Sequence, residues 1–250
     1  MIKINSQQHE TNSGLGNKLF LNFFARALSI ETGEPLKNWL QTKIYSGKEE
    51  DYDGIDNDNW DYSWPYIDHN ESKTTVVGMG TNYEDEYHQN KAVVDLILKH
   101  KDVLIQDFGK RLGTFIHIRY SEGDTVSHDD VLSSSSHAYY SSCLSRCYRT
   151  ALRDSFDCYL ASDSPSHPFV ESLINEFGLK LYEGTPEETI IFGSMFDNKI
   201  LSLGTFSWWI GFIGNQNNVM YPDPDKTNYN GLCSREIFEC MGDWNKSSKI

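Results

Sequence analysis

Between Gly113 and Tyr221 short apolar runs alternate with helical segments, and this alternation restricts the chain's possible folds more than any other feature. Gly113 to Arg119 (GTFIHIR), Asp157 to Ala161 (DCYLA), Leu179 to Tyr182, Ile200 to Leu203 and Val219 to Tyr221 have strand character. His137 to Leu152, Phe169 to Phe177, Pro186 to Asp197 and Thr205 to Ile213 have helical character. Strands alternating with helices predict parallel β-α units and a doubly wound α/β sheet. Such sheets hold ligands beyond the carboxyl ends of their strands. Three of these predicted ends carry suitable groups: His117 and Arg119, Ser162 and Asp163, Thr205 and Ser207.

The third end is the most distinctive. Lys199 to Gly204 (KILSLG) leads into Thr205 to Gly214 (TFSWWIGFIG). An apolar run, a Gly-Thr turn and a run opening on a hydroxyl read as strand, N-cap, helix. A helix start offers backbone amides and the positive end of the helix dipole, a natural phosphate seat. Trp208, Trp209 and Phe212 then supply packing. Arg119 adds a permanently charged fork that matches phosphate oxygens, and the Asp163 carboxylate can accept from a base or ribose. Together these groups suit a nucleotide diphosphate. With a sugar attached, the fixed cation and dipoles would stabilise charge developing on the departing diphosphate.

The first half is less regular. Asn12 to Leu28 has apolar residues at Leu19, Phe20, Phe23, Phe24, Ala27 and Leu28, the spacing of an amphipathic helix entered through Gly14-Leu15-Gly16-Asn17. The glycine pair is not a P-loop, because no GK[ST] follows it at the required distance. From Glu31 to about Tyr83 charged, aromatic and turn residues crowd together, with strand character only at Thr74 to Met79, so the region reads as an irregular surface. Asp56-Asn57-Asp58 matches the D-x-D pattern that holds a metal on nucleotide sugars in some transferases, within an acidic tract that also reads as a solvated loop. Glu84 to Lys101 reads as a helix with Val93, Val94, Ile97 and Leu98 on its apolar face.

Composition excludes several classes. With 250 residues, 38 % hydrophobic and 13 % aromatic, the chain can bury a sizeable core. A net charge of -14 argues against nucleic acid or an anionic membrane as the main partner. No run reaches the length of about 18 apolar residues that a membrane span needs, which leaves peripheral membrane association open, and the N-terminus lacks a signal-peptide apolar region. Five cysteines fit no disulfide framework and read as structural thiols in a reducing, cytoplasmic setting.

Four motifs in order, GLGNKL, HIRYSEGD, LASDSP and TFSWW, resemble glycosyltransferase family 11, the α-1,2-fucosyltransferases, and the wider fucosyltransferase superfamily. The resemblance spans roughly residues 12 to 222. It implies a GT-B arrangement: two Rossmann-like halves facing a central cleft. Here residues 1–108 would form a reduced acceptor-side half and 109–250 the donor half. It also implies a GDP-fucose donor, no cofactor and no required metal, a glycan acceptor and inversion at the anomeric carbon. Arg119 would bind the β-phosphate, His117 would lie near the nucleotide, and Asp163 near base or ribose. Thr205 and Ser207 would lie near the phosphates, with Phe206 also in the donor site. Gly14, Gly16 and Asn17 match the loop that faces the donor from the other half. Two departures stand out: Tyr120 replaces the usual second arginine, and the following R-G-D-Y continuation is broken. Candidates for a general base lie in the loop after Arg119, at Glu122, Asp124, His128 and Asp129. Alternatives are another nucleotide sugar in the same fold, or a nucleotide- or glycan-binding protein without turnover.

Overall fold

The computed structural model describes residues 2–4, 15–37, 42–47, 64–69, 75–80, 86–119, 136–150, 157–214, 218–223 and 237–246. The chain divides into two compact units, Met1–Asp107 and Phe108–Ile250.

The first unit contains β1 (Ile2–Ile4), α1 (Leu15–Thr32), β2 (Leu36–Lys37), β3 (Trp64–His69), β4 (Thr75–Gly80), α2 (Glu86–Lys99) and α3 (Lys101–Leu104). Its sheet order is β2-β1-β4-β3. β1 runs parallel to β2 and β4, whereas β3 runs antiparallel to β4. The region read as irregular apart from one strand also contains β2 and, antiparallel in a mixed sheet, β3. Pro65 and the polar residues of WPYIDH concealed that strand. On α1, Leu19, Phe20, Phe23, Phe24 and Ala27 are buried, as the helical spacing requires. On α2, Val93, Val94 and Ile97 are buried but Leu98 is exposed.

The second unit contains β5 (Arg111–Ile118), α4 (Ser136–Thr150), β6 (Cys158–Ser162), α5 (Pro168–Phe177), β7 (Lys180–Leu181), α6 (Pro186–Ser194), β8 (Phe196–Ile200), α7 (Thr205–Ile213) and β9 (Asn218–Tyr221). These form a Rossmann-like α/β unit on five parallel strands ordered β9-β8-β5-β6-β7, and β10 (Asn245–Lys246) joins parallel at the β9 edge. The chain builds β5, β6 and β7 outward in one direction, then returns to lay β8 and β9 on the other side of β5. The sheet therefore has its switch point between β5 and β8, where the loops leaving adjacent strands diverge to opposite faces and open a crevice.

Both faces of β5 are covered, so Gly113 through Ile118 are buried in succession. Ile116 and Ile118 join a core with Tyr139, Tyr140, Cys143, Leu144, Leu160 and Leu173. Residues of opposite parity face the other layer: Phe115 meets Phe192 and Phe196 at ring separations of 6.0 and 5.8 Å. Burial raises the thiol pKa of Cys143 to about 12 and also raises that of Cys147, consistent with a packing role.

Two element boundaries differ from expectation. The helix from Pro186 ends at Ser194, and the strand read at Ile200 to Leu203 is instead Phe196–Ile200. Asp197, Asn198 and Lys199 give this strand a polar sequence, yet Lys199 is fully buried with its Nζ donating to Phe196 O at 2.7 Å. The start of α6 was legible: Thr185 and Glu188 form a capping box.

The β5–β8 register shifts between Arg111 and Thr114, and Gly113 sits in the shift with φ 129°. A methyl group there would stand 2.1 Å from the carbonyl oxygen of Asp157, which accepts from Thr114 N at 2.9 Å. Gly113→Ala is expected to lower unfolding free energy by roughly 2–4 kcal/mol through strain and overlap together. Urea unfolding of the full chain tests this, and a loss below about 0.5 kcal/mol would mean that the bulge relaxes freely.

Candidate functional site

His117 lies near the carboxyl end of β5 and, by strand alternation, shares a face with Phe115, toward α7. The ring is buried and stacks on Phe206 at 4.9 Å and 28°. Its Nδ1 lies 2.6 Å from Ser207 Oγ and 3.3 Å from Ser202 Oγ, and the two hydroxyl oxygens are 2.8 Å apart. Ser202 binds β5 in two further ways: its N–H donates to His117 O at 3.0 Å, and its Oγ accepts from Arg119 N at 3.2 Å. The two strand ends that flank the switch point are thus joined by a polar cluster.

From the other face, α4 secures the same ends. Tyr139 donates its hydroxyl to Leu201 O at 3.0 Å, and Tyr140 donates to His117 O at 3.5 Å. Burial pushes both phenol pKa values upward, so these hydroxyls remain protonated donors.

Gly204 is the N-cap of α7, with φ 122° and ψ 154°, in a region that only glycine enters at low cost. No side chain caps the helix there. A methyl at Gly204 would stand 3.3 Å from Nη1 of Arg119 and 3.8 Å from its Cδ. The Arg119 side chain therefore lies along the glycine at the helix start. It is exposed, and among the described residues no carboxylate pairs with it. In a chain of net charge -14 such a guanidinium beside the positive end of a helix is an electrostatic oddity. Two positive features adjoin, and an anion between them would relieve both.

Of the residues expected at a donor site, the structure brings together His117, Arg119, Thr205, Phe206 and Ser207. Thr205 opens α7 as its first helical residue, after the glycine cap. Ser207 was expected to donate to a phosphate, but its hydroxyl is buried and engaged with His117 and Ser202. Phe206 is half-buried against the histidine ring. Asp163 is exposed in the turn after β6, where Ser164 N donates to Ser162 Oγ at 3.1 Å. Gly16 and Asn17 lie in the first turn of α1, in the other unit. Gly14, Tyr120, Glu122, Asp124, His128 and Asp129, like Asp56 to Asp58, lie outside the described residues. Among the described residues no cluster of three or more His, Cys, Asp or Glu side chains is placed to hold a metal, and no helix is long and apolar enough to cross a membrane. Ser202 was not singled out from the sequence. Its one signal is a lone hydroxyl within the otherwise apolar ILSLG.

Burial, then the charge of Arg119, lowers the His117 pKa to about 3. A histidine held neutral in the folded protein takes up a proton on unfolding, from an ordinary pKa near 6.5. Its contribution to stability is whole above about pH 6.5 and is lost as pH falls toward about 3. Unfolding free energy should therefore fall with decreasing pH more steeply for the wild type than for His117→Asn, by up to one proton between about pH 6 and 5. Urea unfolding across that range tests it, and parallel slopes would show that His117 is protonated in the fold. No protein-family model, curated protein or solved structure matches the chain.

Proposed function

We propose that this chain is an inverting glycosyltransferase that moves fucose from GDP-fucose to a hydroxyl of a glycan, without a required metal. The two units would form the halves of a GT-B enzyme. The observation that supports this best is the Arg119 guanidinium, exposed and without a carboxylate partner among the described residues, lying along Gly204 at the start of α7. That position, beside the switch point of a parallel sheet, is where α/β folds hold nucleotide phosphates.

In the reaction the acceptor oxygen forms a bond to the anomeric carbon as the bond from that carbon to the β-phosphate oxygen breaks. GDP leaves with the electron pair, and the hydroxyl proton passes to a base. Arg119 and the helix start would meet the charge gathering on the leaving phosphate. His117, neutral and deeply buried, is unsuited to be that base, so the loop candidates Glu122, Asp124, His128 and Asp129 keep that role in this proposal.

Arg119→Ala is expected to reduce turnover on the order of 10²-fold or more and to weaken GDP binding, with unfolding unchanged. Near-normal turnover in a folded variant would overturn the site. Activity lost in EDTA and restored by Mn²⁺ would instead revive the Asp56-Asn57-Asp58 metal motif. The replacement of the second arginine by Tyr120 favours a second reading, binding without turnover. A panel of GDP- and UDP-sugars separates the two: binding seen as a rise in melting temperature, with no donor hydrolysed or transferred, would select it.

A further inference from the structure

Four hydrogen-bonding groups meet at the boundary between β5 and β8: His117 Nδ1, the hydroxyls of Ser202 and Ser207, and the N–H of Arg119. The Arg119 N–H can only donate, so Ser202 Oγ accepts it. Each serine then has one proton to place. If Nδ1 is bare, Ser202 donates to Ser207, Ser207 donates to Nδ1 over 2.6 Å, and every proton finds an acceptor. If Nδ1 carries the proton, the ring and both hydroxyls must share two hydroxyl oxygens, and among the described residues one hydroxyl proton faces no acceptor. Stranding a buried donor disfavours that tautomer by roughly ten-fold or more, enough to decide the equilibrium. A ring flip offers no escape, since it would turn a carbon toward Ser207.

We propose that Ser202 and Ser207 lock His117 in the Nε2–H tautomer, making it a fixed neutral hydrogen-bond donor for the phosphate-bearing ligand. The use of that donor rests on the nucleotide reading above, because a phosphate or ribose oxygen is the acceptor it would serve. The surroundings favour the neutral ring. Arg119, just past the end of the strand, repels an imidazolium at His117. Phe206 covers the ring from α7, and Tyr139 and Tyr140 reach the two strand ends from α4 as protonated phenols. Ser202 and Ser207 are positioning residues in this scheme: they set which nitrogen of His117 holds the proton.

The test uses the full chain with ¹⁵N-labelled histidine and two-bond ¹H–¹⁵N spectra of the rings. His117, assigned by its loss in His117→Asn, should show a proton on Nε2 alone from about pH 8 down to about pH 5. The double variant Ser202→Ala/Ser207→Ala should show mixed tautomers and bind GDP about 10-fold more weakly. Ser207→Thr, which keeps the hydroxyl, should restore the wild-type pattern. If the double variant fails to fold, the wild-type spectrum still decides: a proton on Nδ1, or a charged ring at neutral pH, overturns the lock. GDP should shift the Nε2–H resonance. Binding that leaves it unmoved overturns the donor role. Failure of GDP to bind at all overturns the nucleotide reading instead, while the ligand-free spectrum still reports which nitrogen holds the proton.

Discussion

The second unit depends on the parallel pairing of β5 with β8, two strands separated by more than seventy residues of chain. That pairing places a β5 end carrying His117 and Arg119 beside the turn that opens α7. Without it the two segments would have no reason to meet. The pairing is maintained past the last ladder residue by Ser202, which bonds to the backbone of both His117 and Arg119. Hydrophobic layers on each face hold the strands flat against their helices, but they are indifferent to which loop residues touch. The polar cluster supplies that choice.

Charge follows the same division. The acidic residues that dominate the chain's formal charge do not neutralise Arg119 among the described residues, whereas Arg111, at the opposite end of the same strand, is paired with Asp157 at 3.0 Å. Two arginines, one opening β5 and one just past its end, thus have opposite fates. One is closed by a carboxylate and by the aromatic faces of Tyr159, Phe192 and Phe196. The other is left facing solvent beside a helix start. Sheet polarity explains the difference, because the carboxyl ends of parallel strands are the ends at which helices begin.

The alternation of strands and helices made the second unit legible, since its central strand β5 is buried in succession from Gly113 and helices carry stop or start signals, such as Gly178 in the left-handed region after α5. β8 was misplaced because FDNKI has polar residues where a buried strand is expected to be apolar. β3 was hidden by its proline. At the site, Arg119 and the Thr205 to Ser207 run could be found from residue chemistry alone. The roles of Ser202, Tyr139 and Tyr140 could not, because each acts on a backbone atom brought near only by the fold. Ser207 shows the reverse limit: its hydroxyl was read as facing a ligand, and a histidine ninety residues away in the chain takes it instead.

The tryptophans that made TFSWW conspicuous have one more consequence. Trp208 stacks on Phe212 at 4.4 Å, meets Trp209 edge-on at 5.1 Å, and donates its Nε1 to Ile237 O at 2.9 Å. These indoles begin one residue after Ser207, on a helix that cannot rotate its first turn without turning the next. The candidate site's helix start and the indoles are therefore parts of one rigid element. Two of the chain's six tryptophans absorb light immediately behind the candidate site, where they can report on it without any added label.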